Sequence, residues 1–253
     1  MLYISTVSHN HFSLIKESGC IAELAKDSNI KILVRDNIGE SDFYEWCKKR
    51  GIYYFSNTKS LGFGQNNNLN FSFLPPSDAH NNDYFLVLNP DVIVTRDVLN
   101  KLIRKMHELD IHLATINLFL DKEFSVPDNC VRNFPNFSDF ALRFLLGKNH
   151  SVIDKSKLDK VSEVDWAAGS FLMFSRHAFS KLNGFDQKFF MYCEDIDICA
   201  RYFKKFGKKI SIFPDLFGTH LAMHNNRKIF SKHFFWHLKS SIRYLLITKR
   251  MLD

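Results

Sequence analysis

An α/β fold built on a mostly parallel mixed sheet is what this sequence predicts, and three observations predict it. Leu2-Tyr-Ile-Ser-Thr-Val7, a helical stretch over Ser13 to Lys26 and Ile30-Lys-Ile-Leu-Val34 follow one another at the spacing of a βαβ unit. Tyr84-Phe-Leu-Val-Leu88 has no polar face, as a strand covered on both sides requires, and apolar residues resume at Val92-Ile-Val94. At 253 residues and 45% hydrophobic content, the chain can bury one large core and still carry an appendage. The expected division is one main domain over residues 1–222 and a basic, aromatic tail over 223–253.

Composition narrows the function classes. The five cysteines, Cys20, Cys47, Cys130, Cys193 and Cys199, are odd in number and form no CxxC pair. A disulfide framework and a structural zinc site are therefore disfavoured, and a reducing, cytoplasmic setting fits. The chain enters its first strand at once, without a basic n-region, and holds no apolar run of about 18 residues that could span a membrane. Net charge is +7, from 34 basic and 27 acidic residues. Seven of the basic groups, from Arg227 to Arg250, lie after residue 215 against Asp253 alone, so the body is balanced and the excess belongs to the tail. A nucleic-acid footprint would involve the body too; the tail reads as a docking element for an anionic surface.

The organising strand stops at Asn89-Pro90-Asp91, because proline removes a ladder donor and restricts the residue before it. This leaves Asp91 at the strand's mouth. Ligands of open α/β sheets bind at the carboxyl ends of strands, where an acid can meet a metal-bound phosphate. Asp36 ends the second strand in the same way, and can accept hydrogen bonds from a base or ribose or simply form a turn with Asn37. Residues 41 to 50 read as a helix and Ile52 to Phe55 as a strand. Leu61-Gly-Phe-Gly-Gln-Asn-Asn-Asn68 then reads as a loop that presents backbone groups closely, as holding a ribose or phosphate requires. Pro75 to Asp83 reads as a solvent loop and residues 96 to 109 as a helix.

Leu113 to Leu120 is strand-like and Val131 to Pro135 extended, with Arg132 either reaching a pyrophosphate or acceptor or lying on the surface. Polar residues 154 to 163 read as a loop. Val164 to Phe174 reads as a strand with small residues at its centre, and Asp165 and Trp166 offer a polar group beside an aromatic face, which suits a sugar ring; core packing is the alternative for Trp166. After a helix at 176 to 182, Cys193-Glu-Asp-Ile-Asp197 opens a helix that stops at Gly207. Acids in a first turn suit the helix dipole. Three within four residues nevertheless repel one another, which is useful if one faces a metal or tunes a general base. Asp197 can instead pair with Arg201 one turn on. A strand at Lys209 to Phe213 precedes His220, which is either a metal ligand or a satisfied polar residue; HEXXH is absent, which removes a metalloprotease reading.

Together, Val34-Arg-Asp36-Asn37, Gly62 to Asn68, Leu88-Asn-Pro-Asp91, Asp165-Trp-Ala-Ala-Gly-Ser170, Asn183-Gly-Phe-Asp186, Phe190 to Asp197 and His220 resemble the inverting family 2 glycosyltransferases, and most closely bacterial O-antigen rhamnosyltransferases. The resemblance spans nearly the whole chain. It implies a GT-A fold, Rossmann-like, with helices flanking the sheet. It also implies a donor nucleotide contacted by Asp36, Gly62, Gly64, Asn67, Asn89 and Arg132, and a divalent cation, Mg²⁺ or Mn²⁺, at Asp91 and His220. Asp195, beside Glu194, matches the catalytic base, and Asp165 and Trp166 fall to the acceptor. Many relatives carry Asp-X-Asp where this chain has Asn89 before Pro90-Asp91.

The resemblance further implies transfer of L-rhamnose from dTDP-β-L-rhamnose to a sugar on a polyprenyl diphosphate, in O-antigen or lipopolysaccharide synthesis. A UDP-hexose donor and a catalytically silent nucleotide-sugar or membrane-binding module are the alternatives. The tail from Arg227 to Arg250 interleaves basic and apolar residues, with Phe230, Phe234, Leu238, Ile242 and Leu245 near one face of an amphipathic helix. Such a helix can lie in an anionic membrane interface, cover the catalytic core or make a homodimer. Peripheral attachment to the inner face of the cell membrane is the expected location.

Overall fold

The structure, a computed structural model, describes residues 1–76, 82–135, 151–221, 232–248 and Leu252. Its strands are β1 (Leu2–Ser8), β2 (Ile30–Asp36), β3 (Tyr53–Ser56), β4 (Tyr84–Leu88), β5 (Val92–Ile93), β6 (Leu113–Phe119), β7 (Val131–Arg132), β8 (Ser162–Val164), β9 (Trp166–Ala167), β10 (Phe171–Ser175) and β11 (Ile210–His220). The helices are α1 (Phe12–Ser18), α2 (Cys20–Leu24), α3 (Phe43–Lys48), α4 (Phe63–Ser72), α5 (Arg96–Glu108), α6 (Arg176–Lys181), α7 (Glu194–Phe206) and α8 (Lys232–Arg243), the last running into a π-helical turn at Tyr244–Thr248.

Among the described residues the main sheet runs β3-β2-β1-β4-β10-β6-β11-β5, with β8 also on β11, while β7 and β9 make a separate antiparallel pair. The β3, β2, β1 and β4 strands are parallel, and β10 alone separates β4 from β6 by antiparallel pairing. One geometric result follows for function. The carboxyl ends of β1, β2, β4, β6 and β11, together with the start of β10, all reach one edge of the sheet. All five residues of β4 are buried, with Phe85 against Phe71 and Phe179 at ring centroid distances of 5.1 and 4.7 Å. Burying each such side chain contributes on the order of 1.5 to 3 kcal/mol, so the strand that ends at the site is anchored in the core.

The local expectations that differ have identifiable causes. The single helix over 13–26 is broken at Gly19, whose φ of 68° ends α1 in a left-handed cap. The strand expected over 164–174 is divided: Asp165 and residues 168–170 interrupt it, Val164 stays in the main sheet as the end of β8, and Trp166–Ala167 pairs with β7 in the separate sheet. The strand expected to end at Phe213 continues to His220, with its register shifted between Phe213 and Phe217 around Pro214, which has no amide hydrogen to donate.

The largest correction concerns residues 61–68. Instead of a loop, Phe63 onward is helix α4, with Asn66, Asn67 and Asn70 buried. The asparagines form a polar seam under the sheet: Asn67 accepts from Ser5 Oγ at 2.7 Å, Asn70 donates to the same oxygen at 2.9 Å, and Asn57 donates to Asn66 at 2.7 Å. Interior hydrogen bonding of this kind overrides the turn propensity of asparagine. The last helix, α8, packs onto the segment before α7. Ser240 Oγ donates to the Met191 carbonyl at 2.9 Å, Arg243 pairs with Asp186 at 2.7 Å, and Tyr244 is fully buried. Of the expected tail helix, residues 227–231 (Phe230 included) and 249–250 lie outside the described residues, as do 77–81 of the expected 75–83 loop.

Candidate active site

A cavity of about 380 Å³ opens at the shared strand edge, and Asn89, Arg132, Trp166, Glu194, Asp195 and His220 line it. Six residues singled out from sequence thus meet in one place from five different segments. Asn89 follows β4, and its amide donates to the Ser170 carbonyl at 2.9 Å, which ties the Asn-Pro-Asp bend to the start of β10. Arg132 lies with its guanidinium carbon 5.2 Å from the centre of the Trp166 ring. Trp166 is buried, and its Nε1–H donates to the Asn133 carbonyl at 3.0 Å, so the ring has both a packing task and a face toward the cavity.

Asp195 sits in the first turn of α7. Its carboxylate accepts from the Gly169 amide at 3.2 Å and from the Ile196 amide at 2.9 Å. Burial raises its pKa above the ordinary aspartate value despite these bonds and the nearby Arg132 charge. Glu194 beside it is 6% exposed and is pushed up to about 8, first by burial and then by the charge of Asp195; its Oε2 has no hydrogen-bond partner. The chain reaches this turn through Tyr192 at φ 71° and Cys193 at φ 64°. Two consecutive non-glycine residues in the left-handed region cost on the order of 1 to 3 kcal/mol each, and hold the two acids toward the cavity. Asp197 is directed away: it pairs with Arg201 at 2.7 Å and accepts from Thr248 Oγ1 at 2.8 Å.

Opposite these acids, His220 Nε2 lies 3.4 Å from Asp91, and its Nδ1 lies 2.8 Å from Asp128. Burial would lower the imidazole pKa, but hydrogen bonds and charge from Asp128 and Asp91 outweigh it and raise the value to about 9. Burial likewise works to raise Asp91, and His220 reverses it, leaving the carboxyl below its ordinary range. Asp91 Oδ1 is buried without a hydrogen-bond partner. An orphaned carboxylate oxygen beside an imidazole nitrogen fits a divalent cation, whose remaining ligands would be phosphate oxygens and water. Among the described residues no group of three or more His, Cys, Asp or Glu is placed to enclose a metal by itself.

Five sequence candidates lie elsewhere. Asp36 is fully buried, and accepts from the amides of Ile38 and Gly39 at 3.0 Å each, from Glu40 at 2.6 Å and from Tyr54 Oη at 2.8 Å. It shapes the 38–40 turn, and meets a nucleotide only by giving up one of these bonds. Gly62 and Gly64 seat protein, not ligand: a Cβ on Gly62 would fall 2.2 Å from the Phe190 carbonyl oxygen, and one on Gly64 would fall 2.7 Å from Phe185 Cβ. Asn67 belongs to the buried seam. Asp165 pairs with Lys209 at 2.7 Å and accepts from the Phe134 amide at 2.7 Å, outside the cavity lining.

Asp128 and His237 were not singled out from sequence. Asp128 follows Pro127, which bridges antiparallel to Phe119 at the carboxyl end of β6, but its partner His220 is 92 residues away. His237 reaches the cavity wall from α8, where composition gave no reason to separate it from its neighbours.

The sheet order and a carboxylate-lined cavity at the strand ends define a GT-A-type glycosyltransferase. A family model described as the N-terminal domain of galactosyltransferase matches residues 149–225. Rhamnosyltransferase WbbL of Escherichia coli (strain K12) is 41% identical over 259 residues, covering 100% of this chain and 95% of that protein. The N-acetylglucosaminyl-diphospho-decaprenol L-rhamnosyltransferase of Mycobacterium tuberculosis (strain ATCC 25618 / H37Rv) is 33% identical over 82 residues, 32% of this chain and 26% of that one. Among solved structures, GalNAc-T7 with UDP, GalNAc and Mn²⁺ superposes with a TM-score of 0.68 at 13% identity, over 100% of this chain and 50% of that chain, a likeness of fold. The chain belongs to the bacterial rhamnosyltransferases of glycosyltransferase family 2, and it is an enzyme.

Proposed function

We propose that this rhamnosyltransferase moves L-rhamnose from dTDP-β-L-rhamnose to a sugar carried on a polyprenyl diphosphate, with inversion, in O-antigen or related surface polysaccharide synthesis. One observation carries the chemical part: Asp195 faces the cavity with a raised pKa and with its carboxylate oriented by two backbone amides. In this reading Asp195 takes the proton of the acceptor hydroxyl as that oxygen bonds to the anomeric carbon and the bond to the leaving diphosphate breaks. The proton then rests on Asp195 and dTDP departs. Glu194, protonated at neutral pH, adds no second negative charge beside the base. Trp166 offers its face to the acceptor sugar, and Arg132 and Asn89 face the donor side. Asp91 and His220 would hold a divalent cation, Mg²⁺ or Mn²⁺, which supplies positive charge for the diphosphate when bound. WbbL and the mycobacterial enzyme, by their names, support rhamnose, and the latter's name also supports a lipid-diphosphate acceptor.

The reading places the enzyme on the inner membrane face, with residues 1–222 as the catalytic domain and 223–253 as the membrane-facing tail. Among the described residues no helix is long and apolar enough to cross a membrane. On α8 and its continuation, Phe235, Leu238, Ile242 and Leu246 are 56%, 36%, 51% and 58% exposed. That outward apolar row supports interfacial binding.

Turnover of a panel of dTDP- and UDP-sugars by the purified protein, with and without Mg²⁺ or Mn²⁺, tests the donor. Selective use of dTDP-rhamnose is expected. Asp195→Asn should lower kcat by about 10² to 10⁴ while dTDP-rhamnose still binds. Preference for a UDP-hexose overturns the donor, and full activity of the variant overturns the base.

A further inference from the structure

Beside the catalytic cavity lies a second one, of about 620 Å³, between the 188–190 segment and α8, and no part of the chemistry above uses it. Its walls are Lys188, Phe190, Trp236, Lys239, Ser240 and Arg243. Three of these six are cations and two are aromatic. Arg243 is partly neutralised by Asp186, yet its Nε is buried without a hydrogen-bond partner. Among the described residues Lys188 and Lys239 have no ion pair, and both are exposed. Phe190 and Trp236 meet at 4.9 Å between ring centroids, and Phe190 remains 39% exposed. Two unbalanced lysines, an orphaned guanidinium N–H and an aromatic wall describe a site for an anion joined to an apolar chain.

The position of this cavity on α8 is specific. At about 100° per residue, Trp236, Lys239, Ser240 and Arg243 form one stripe of the helix. To one side His237 lines the catalytic cavity; to the other lies the outward row of Phe235, Leu238 and Ile242. The loop divides in the same way: Lys188 and Phe190 face the second cavity, while Met191 to Asp195 line the first. The basic pocket therefore stands between the reacting centre and the face turned to solvent.

We propose that this pocket binds the diphosphate and first isoprene units of the lipid-linked acceptor, so that its sugar enters the catalytic cavity past His237. The inference rests on the lipid-acceptor reading above and names the residues that would recognise it. A diphosphate diester carries two negative charges, matching the two unpaired lysines, and Arg243 supplies the additional donor. The isoprene chain leaves along Phe190 and Trp236 toward the apolar row.

Titration calorimetry of the full chain with farnesyl diphosphate, farnesol and inorganic diphosphate tests the site. Farnesyl diphosphate should bind more tightly than either fragment, and Lys188→Ala/Lys239→Ala should weaken it tenfold or more. Lys188→Arg/Lys239→Arg should stay within about threefold of the parent, because charge is preserved. Equal affinity in the double alanine variant overturns the proposal, as does equal affinity for inorganic diphosphate, which would make this a free-diphosphate site. Displacement of farnesyl diphosphate by phosphatidylglycerol vesicles would also overturn it, in favour of a general headgroup site. A transfer assay separates this inference from the reading it rests on. With a lipid-diphosphate sugar as acceptor, the double alanine variant should raise KM at least tenfold more than with an alkyl glycoside of the same sugar. Transfer to the lipid acceptor with no such difference sinks the pocket alone. Transfer only to the glycoside sinks the acceptor reading.

Discussion

Asp91, which contacts the cavity-lining His220, and Glu194, which lines the catalytic cavity itself, are both carboxyls that burial acts on, yet their pKa values move in opposite directions. Burial pushes both upward. At Asp91 the bond to His220 and its charge win, and the group stays ionised; at Glu194 no cation answers, Asp195 adds repulsion, and the group is raised to about 8. The lesson is that acid-rich sites are sorted by their partners more than by depth. One side of the cavity is arranged to hold negative charge against a cation, and the other to keep a proton beside the base.

The largest effect expected from breaking this contrast is at Glu194. A group whose folded pKa, about 8, lies above its ordinary value of 4.5 favours the folded state fully below pH 4.5, and that contribution is lost as pH rises through 8. Glu194→Gln should therefore stabilise the protein increasingly from pH 5 to pH 8.5, by on the order of 3 kcal/mol at the upper end. Denaturant melts at the two pH values check it; an equal effect at both means that Glu194 is ionised in the folded protein.

On the opposite side, Asp128 holds His220 Nδ1 and so directs Nε2 toward Asp91. Asp128→Ala should weaken Mn²⁺ binding by about 10- to 100-fold, as loss of an outer partner of a histidine ligand typically does. Calorimetric titration of Mn²⁺ into the purified protein measures this directly, and an unchanged affinity would leave Asp128 a purely local bond.

The smallest effect belongs to an acid outside the cavity. The Asp165–Lys209 pair has a 2.7 Å contact, but Lys209 is 40% exposed. Lys209→Ala should cost about 0.2 to 1 kcal/mol in a urea melt and leave acceptor KM within about twofold. A large rise in KM would return Asp165 to the acceptor site.

How much was legible in advance depended on the range of the interaction. The strand at 84–88 was readable because an unbroken apolar run has few other uses, those at 2–7 and 30–34 because they flank a helical stretch at βαβ spacing, and the Asn-Pro-Asp stop because proline acts locally. The 61–68 segment was misread for the opposite reason. Glycine and asparagine are loop residues by local propensity, and nothing near them shows that Asn68 will exchange two hydrogen bonds with Phe185, 117 residues on, or that Gly62 must admit the Phe190 carbonyl. The same limit hid Asp128 and His237, whose partners come from distant segments.

The sequence by itself determined the α/β class, the acid at the end of the buried strand, the paired acids opening the 194–206 helix and the family resemblance, since each lies within a short stretch whose chemistry is self-contained. Only the tertiary structure decided which of those groups share a cavity, which carboxyls keep a proton and which face α8 turns inward. Those outcomes follow from burial and from the charge of distant partners, and both exist only once the strand ends have been brought to one edge.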